Sequence, residues 1–316
     1  MSIRIMTATD ASRALEPALH ALNRVILGKE QQVKLALCCC LAHGHLLIED
    51  IPGVGKTTLA QALAKALGLD YQRIQFTNDL LPADVLGVSV YARERGQFEF
   101  HKGPIFSQLL LADEINRATP KSQSALLEAM EERQVTVDGN TYLLPKPFFV
   151  IATQNPSDQI GTYPLPESQL DRFLMRISLG YPSPAMERQL LAGEDRRTLL
   201  TALTPVLDGA TLQALQGHVQ SIHTADSVLD YVQALVLHTR AADRYRAGLS
   251  PRAAMALLRA AQAWALLHGR DGVWPEDVQA VARAVAGHRL QHRMGNDSSH
   301  GHAADLDNWL LTVPVN

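Results

Sequence analysis

The sequence predicts an α/β fold in which a parallel sheet flanked by helices is followed by a smaller, all-helical domain. Three observations carry this expectation. A short apolar run, His45 to Glu49, passes through a glycine-rich turn into a stretch of helix-forming residues. Two further apolar runs, Leu109 to Ala112 and Phe148 to Thr153, are bounded by polar residues, as strands buried on both faces of a parallel sheet are. Beyond Tyr181-Pro182-Ser183-Pro184, from about Ala185 to Leu290, only Ala- and Leu-rich helical periodicity remains.

The elements follow in order. From Ala14 to Leu41 apolar residues recur at helical spacing, broken at Leu27-Gly28-Lys29, which gives two helices and a turn. After the strand and turn, Thr57 to Leu67 reads as a helix stopped by Gly68. Arg73-Ile74-Gln75-Phe76 is a further short strand. Two stretches read as hairpins added to the core: Val88 to Phe100, alternating around Gly96, and Val135 to Leu143, turning at Asp138-Gly139-Asn140. The expected organisation is an α/β core over 1–184, with hairpin insertions near 88–100 and 135–143, a helical domain over 185–294, and a polar tail over 295–316 ending in a short helix, Asp305 to Leu311.

Composition narrows the function classes. A length of 316 residues is long for one core, and 47% apolar with 19% charged residues suits a globular protein. A net charge of −3 offers no global attraction for a polyanion, and the basic residues are scattered, so nucleic-acid binding is not expected. No segment reaches the about 18 uninterrupted apolar residues needed to span a bilayer, so no membrane insertion and a cytoplasmic location are expected. Cys38, Cys39 and Cys40 are consecutive, a spacing that suits neither a metal site nor a disulfide framework; they read as small apolar residues at the end of a helix running into a buried strand. His288, His292, His300 and His302 read as parts of a solvated linker rather than as a metal site.

Chemistry concentrates in two motifs. Asp50-Ile51-Pro52-Gly53-Val54-Gly55-Lys56-Thr57-Thr58 lies between a strand and a helix, where backbone N–H groups and the helix dipole favour a polyphosphate such as that of ATP. Lys56 is expected to reach the β- and γ-phosphates, and Thr57 to offer its hydroxyl to Mg2+. The general pattern begins with glycine, whereas this chain has Asp50. The second motif, Leu109-Leu110-Leu111-Ala112-Asp113-Glu114, ends an apolar strand in two carboxylates at the edge where ligands of open parallel sheets sit. Asp113 is expected to hold Mg2+, and Glu114 to act on the attacking water as general base.

Together with the phosphate loop, four further stretches resemble the MoxR family of AAA+ ATPases: Ala112 to Ala118, Gln123 to Met130, Ala152-Thr153-Gln154-Asn155-Pro156, and Leu165 to Phe173. The likeness runs through most of residues 20–290, and that family tolerates a residue other than glycine at the position of Asp50. The resemblance implies that Asn155 is the sensor that orients the water or contacts the γ-phosphate, where the residues alone offer a turn-starting Asn-Pro pair. It implies that Arg172 is an arginine finger for a neighbouring subunit, where the residues alone offer a partner for Asp171. Arg252, near a helix start capped by Ser250 with Pro251 at the first helical position, is similar to the sensor-2 arginine that touches nucleotide from the helical lid. Arg117 is a candidate charge near a subunit junction, and Gln75 a candidate restraint on Glu114.

By the same resemblance the protein is a chaperone-like remodeller that hydrolyses ATP within a ring, commonly a hexamer. Its hairpins would face the pore or a client, and a von Willebrand A domain protein would be its partner. Two other readings stand beside it: an assembly switch that uses the same pocket with negligible turnover, and a chelatase-type or DNA-acting motor on a related scaffold.

Overall fold

The computed structural model describes residues 7–156, 161–193, 195–243, 245–291, 306, 308–310 and 312–314. The chain opens with α1 (Ala8–Val25) and α2 (Glu30–Leu41), separated by Gly28 in the left-handed region at φ 65. Thr7 starts α1 in a capping box with Asp10, which satisfies two of the helix's orphan N–H groups. The core then runs β1 (Leu46–Glu49), α3 (Lys56–Ala66), β2 (Tyr71–Gln75), α4 (Pro82–Leu86), β3 (Gly87–Ala92), β4 (Gln97–Lys102), β5 (Leu109–Asp113) and α5 (Pro120–Glu132). It continues through β6 (Gln134–Val137), β7 (Asn140–Leu143), β8 (Phe149–Gln154), α6 (Glu167–Leu170) and β9 (Met175–Ile177). Helices complete the chain: α7 (Pro184–Ala192), α8 (Arg196–Ala202), α9 (Gly209–Val219), α10 (Asp226–Ala241), α11 (Pro251–Leu267) and α12 (Pro275–Ala286).

The main sheet is parallel with strand order β2-β5-β8-β1-β9. This register aligns the carboxyl ends of β1, β8 and β5, so that the loops leaving these strands emerge on the same side of the molecule. The edge strand β9 is only three residues long, too short for its apolar pattern to stand out before the sheet is seen. Both predicted hairpins form separate two-stranded antiparallel sheets. The tip of β6–β7 places Asp138 at φ 50 and Gly139 at φ 78, the pair of positive values a tight hairpin turn demands. Phe100 and Tyr142 stack at 4.2 Å and join the two hairpins.

The strands sort their side chains with period two. Leu46, Ile48, Leu109, Leu111, Phe149 and Ile151 face one way, into a core that includes α1, α2, α3 and the helices α9 to α12. Leu47, Leu110, Ala112, Val150 and Ala152 face the other way, onto α5, Val85 and Phe173. The helical part therefore shares a continuous core with one face of the sheet. Cys38, Cys39 and Cys40 lie at the end of α2, all free and fully buried, and burial pushes their thiols up, that of Cys40 to about 12.

His288 corrects one expectation. It is 3% exposed and contacts the Phe173 carbonyl at 3.0 Å through Nε2, so it belongs to the core rather than to a solvated linker. His292, His300 and His302 lie outside the described residues, as do most of the tail and both ends of the expected terminal helix; Leu306 and Asn308 to Leu310 are helical. No helix among the described residues is long and apolar enough to cross a membrane.

His45, at the start of β1, accepts the Val150 N–H at Nδ1 (3.0 Å), which leaves Nε2 to donate to the Met130 carbonyl (3.3 Å). Burial and Arg133 lower its pKa from 6.5 to about 3, so it stays neutral. The unfolded chain takes up a proton there below about pH 6.5 and the folded chain does not. Stability from this group is therefore complete above pH 6.5 and is lost as pH falls toward 3. The urea midpoint should decline over this interval, and His45→Gln should flatten the slope.

Candidate functional site

Backbone shape builds the phosphate loop. Gly53 (φ 83) and Gly55 (φ 99) both occupy the left-handed region, and Gly55 is the N-cap of α3. A Cβ at either position would meet nothing within 4 Å, so φ rather than crowding selects glycine. Asp50 is not among the positive-φ residues, so a side chain is tolerated at that first position. Pro52 and Val54 complete the turn, with Val54 packed on the core. Lys56, Thr57 and Thr58 form the first turn of α3, where N–H groups have no helical partner. The Lys56 ammonium donates to the carbonyls of Asp50 and Ile51, which fixes it at the mouth of the loop. Burial lowers its pKa below the usual lysine range, while the charges of Asp50, Asp113 and Glu114 pull it back.

Asp113 closes β5, pairs in register with Gln75 of β2, and is 7% exposed. Its Oδ1 accepts the Thr153 hydroxyl and its Oδ2 accepts both Nε (3.1 Å) and Nη2 (2.7 Å) of Arg73. Glu114 follows in the left-handed region at φ 56, unusual for a residue with a Cβ, and its N–H donates to Thr153 Oγ1 at 2.9 Å. Its carboxylate accepts from Gln75 Nε2 at 2.9 Å and pairs with Arg117 Nε at 3.0 Å. Asn155, buried at 6% exposure, stands one residue past β8, between the ends of β1 and β5. Lys56, Asp113, Glu114 and Asn155 thus converge on the carboxyl edge of three adjacent strands. The hydroxyl of Thr57 and the carboxylate of Asp113 are hard oxygen donors of the kind Mg2+ takes, and the glycine-rich loop beside them fits a polyphosphate. Bound there, the cation would neutralise phosphate charge.

Arg172 and Arg252 are elsewhere. Arg172 Nη1 donates to the Leu127 carbonyl at 2.7 Å and pairs with Glu131 at 3.0 Å. Arg252 pairs with the same Glu131 and approaches Asp171 at 3.9 Å. Asp171 is held by Arg289 at 2.6 Å, so the simple Asp171–Arg172 pairing that the residues suggest is replaced by a chain of ion pairs through five residues. These groups line a cavity of about 360 Å³ together with Gly44 and Leu174, which precede β1 and β9. They therefore occupy the amino edge of the sheet. One strand such as β1 spans about 13 Å, and the phosphate loop lies beyond its far end. The chain does not bring its own Arg172 or Arg252 to its own Lys56.

Sequence reasoning missed Arg73, Thr153 and Glu131. The first two were accessible through strand alternation: Arg73 is two residues before Gln75 on one face of β2, and Thr153 two before Asn155. Glu131 gave no local signal, because its role depends on two arginines distant in sequence.

Residues 45–175 match the ATPase family associated with various cellular activities (AAA), and residues 237–308 match the AAA lid domain. The chain is 50% identical over 281 residues to the uncharacterized protein YeaC of Bacillus subtilis, covering 89% of this chain and 88% of that one. It is 41% identical over 290 residues to Chaperone MoxR1 of Mycobacterium tuberculosis, covering 87% and 75%. It is 36% identical over 294 residues to Protein MoxR of Paracoccus denitrificans, covering 85% and 86%. A crystal structure of a candidate ATPase from Cytophaga hutchinsonii superposes with a TM-score of 0.87 at 35% identity, covering 98% of this chain and 97% of that one.

Removing the charged donor at the loop should weaken nucleotide binding without unfolding the chain, because among the described residues Lys56 bonds to loop carbonyls that water can replace. Lys56→Ala is expected to raise the Kd for magnesium-ATP about 10- to 100-fold, read by calorimetry, while the melting temperature without nucleotide stays within about 2 °C of wild type.

Proposed function

Since this chain belongs to the MoxR family of AAA+ ATPases, we propose that it hydrolyses ATP in a homo-oligomeric ring and uses the cycle to remodel protein complexes. The observation that carries this reading is the division of the charged machinery between the two edges of one sheet. Lys56, Thr57, Asp113, Glu114 and Asn155 share the carboxyl edge, while Arg172 and Arg252 share the amino edge. A site that needs both sets is completed by a second copy presenting its arginines.

In this reading Glu114, backed by Gln75 and Arg117, accepts a proton from the attacking water. Asn155 orients that water. Lys56 and the loop N–H groups hold the β- and γ-phosphates, and a neighbour's Arg172 stabilises the negative charge on the oxygens of the transferred group. Arg252 of the neighbour contributes a second cation from the same face. The ring is a hexamer, the partner a von Willebrand A domain protein, and the work is maturation of, or cofactor insertion into, a client complex. Support for contact with a client comes from the hairpins, where Val88, Val90, Tyr91, Phe98 and Leu143 are exposed. An apolar surface of that kind on added elements suits transient binding of another chain.

Glu114→Gln should keep magnesium-ATP affinity within about threefold yet abolish phosphate release; turnover by this variant would remove Glu114 as base. Lys56→Ala and Arg172→Ala should each be inactive alone. Mixed, they should regain part of the wild-type rate, because the intact loop of one meets the intact Arg172 of the other. Failure to complement, with mixed oligomers verified by mass photometry, would rule out sharing of the site between subunits. Near-zero phosphate release by wild type as well as Arg172→Ala would favour an assembly switch.

A further inference from the structure

The residue that departs from the general phosphate-loop pattern is also the one that ties the loop to the rest of the chain. Asp50 is 6% exposed. Its Oδ1 accepts the N–H of Ile51 at 2.8 Å, which stiffens the loop locally. Its Oδ2 accepts three donors from one short segment: the N–H of Leu179 at 2.6 Å, the N–H of Gly180 at 2.6 Å and the hydroxyl of Ser178 at 2.9 Å. Successive N–H groups converging on one oxygen form a concave anion seat, here filled by a side chain instead of a ligand. Gly180 has φ 63 with open space around a would-be Cβ, so the turn's shape, not crowding, calls for glycine.

That segment is the crossover from the sheet to the helical part. It leaves β9 at Ile177 and enters α7 at Pro184. Lys29, from the turn between α1 and α2, holds the same crossover by donating to the Tyr181 carbonyl at 2.8 Å. Glu49, next to Asp50, makes a parallel link: it pairs with Arg176 at 2.7 Å, and Arg176 donates onward to the Gly287 carbonyl at the end of α12. On the other side Asp50 touches the phosphate-binding group directly, because its backbone carbonyl accepts from Lys56. One residue thus contacts Lys56 through its carbonyl and the crossover through its carboxylate. A Lys56 turned toward a triphosphate would leave the Asp50 carbonyl without that donor, and the carboxylate would carry the adjustment to residues 178–180. Charge-assisted bonds into a buried carboxylate are short and directional enough to carry such a shift.

We propose that Asp50 is a positioning residue that couples nucleotide occupancy of the phosphate loop to the crossover at 178–183 and the helix α7 beyond it. The proposal rests on the nucleotide-binding reading above and adds the residue through which binding is communicated.

Hydrogen exchange of the full-length protein tests it, with and without magnesium and a non-hydrolysable ATP analogue. In wild type, nucleotide should slow exchange across residues 178–192. In Asp50→Gly, which restores the general loop pattern, analogue affinity should fall by less than about tenfold, while the nucleotide-dependent change at 178–192 disappears. A nucleotide-induced change of wild-type size in this variant would overturn the proposal. So would loss of nucleotide binding with the fold retained, since Asp50 would then serve the loop alone. If Asp50→Gly does not fold, Ser178→Ala removes one of the same bonds without altering the loop. It should reduce the nucleotide-dependent change at least about twofold, and an unchanged response would refute the coupling. Wild type that binds no nucleotide would end the ATPase reading; wild type that binds with no change at 178–192 would end only the coupling.

Discussion

The site depends on keeping opposite charges close without letting them collapse into a pair. A lysine opening α3 beyond β1 and two carboxylates at the end of β5 stand on one edge of the sheet with β8 between them, and a direct bond between them would fill the space a triphosphate needs. Each instead has its own restraint. Carbonyls of Asp50 and Ile51 hold Lys56; Arg73 and Thr153 hold Asp113; Gln75 and Arg117 hold Glu114. The edge strand β2 supplies two of these restraints, because Arg73 and Gln75 alternate onto one face. The left-handed backbone at Glu114 follows from the same need, since it turns the carboxylate off the strand axis toward Gln75.

The opposite edge obeys a different constraint. Four charged groups, Glu131, Asp171, Arg172 and Arg252, with Arg289 behind them, face a cavity rather than a closed core. Their ion pairs are a quarter to a half exposed, apart from Arg289, so each is weak in isolation and readily traded for another anion. Arginine suits this role, since its planar fork can leave a carboxylate for a phosphate with the same geometry.

Much of this was legible in the sequence because it depends on local chemistry. The loop from Pro52 to Thr58, the acidic end of β5, both hairpins and the Ser250-Pro251 start of α11 are set by residues adjacent in the chain. The hidden features depend on distant contacts. The short strand β9 is defined by pairing with β1, not by its three residues. His288 reads as part of a solvated linker until its contact with the Phe173 carbonyl is seen. Glu131 becomes a junction only when α11 brings Arg252 onto α5. Asp50 reads in the sequence as an anomaly in a glycine pattern, and its three distant donors supply the reason.

The shared interior of sheet and helices has a mechanical consequence. Leu46, Ile48 and Ile151 lie in the same dry layer as Leu257, Ala261 and Val281, so swinging α11 and α12 outward would expose apolar surface to water. Small sliding of packed helices is the cheaper deformation. A chain built this way would turn nearly as one block, so in the ring proposed above the compliant places would be the seams between copies. Strain arising at one pocket would then be relieved by tilting of whole neighbours, and the stiffness of each block would carry force to a distant surface.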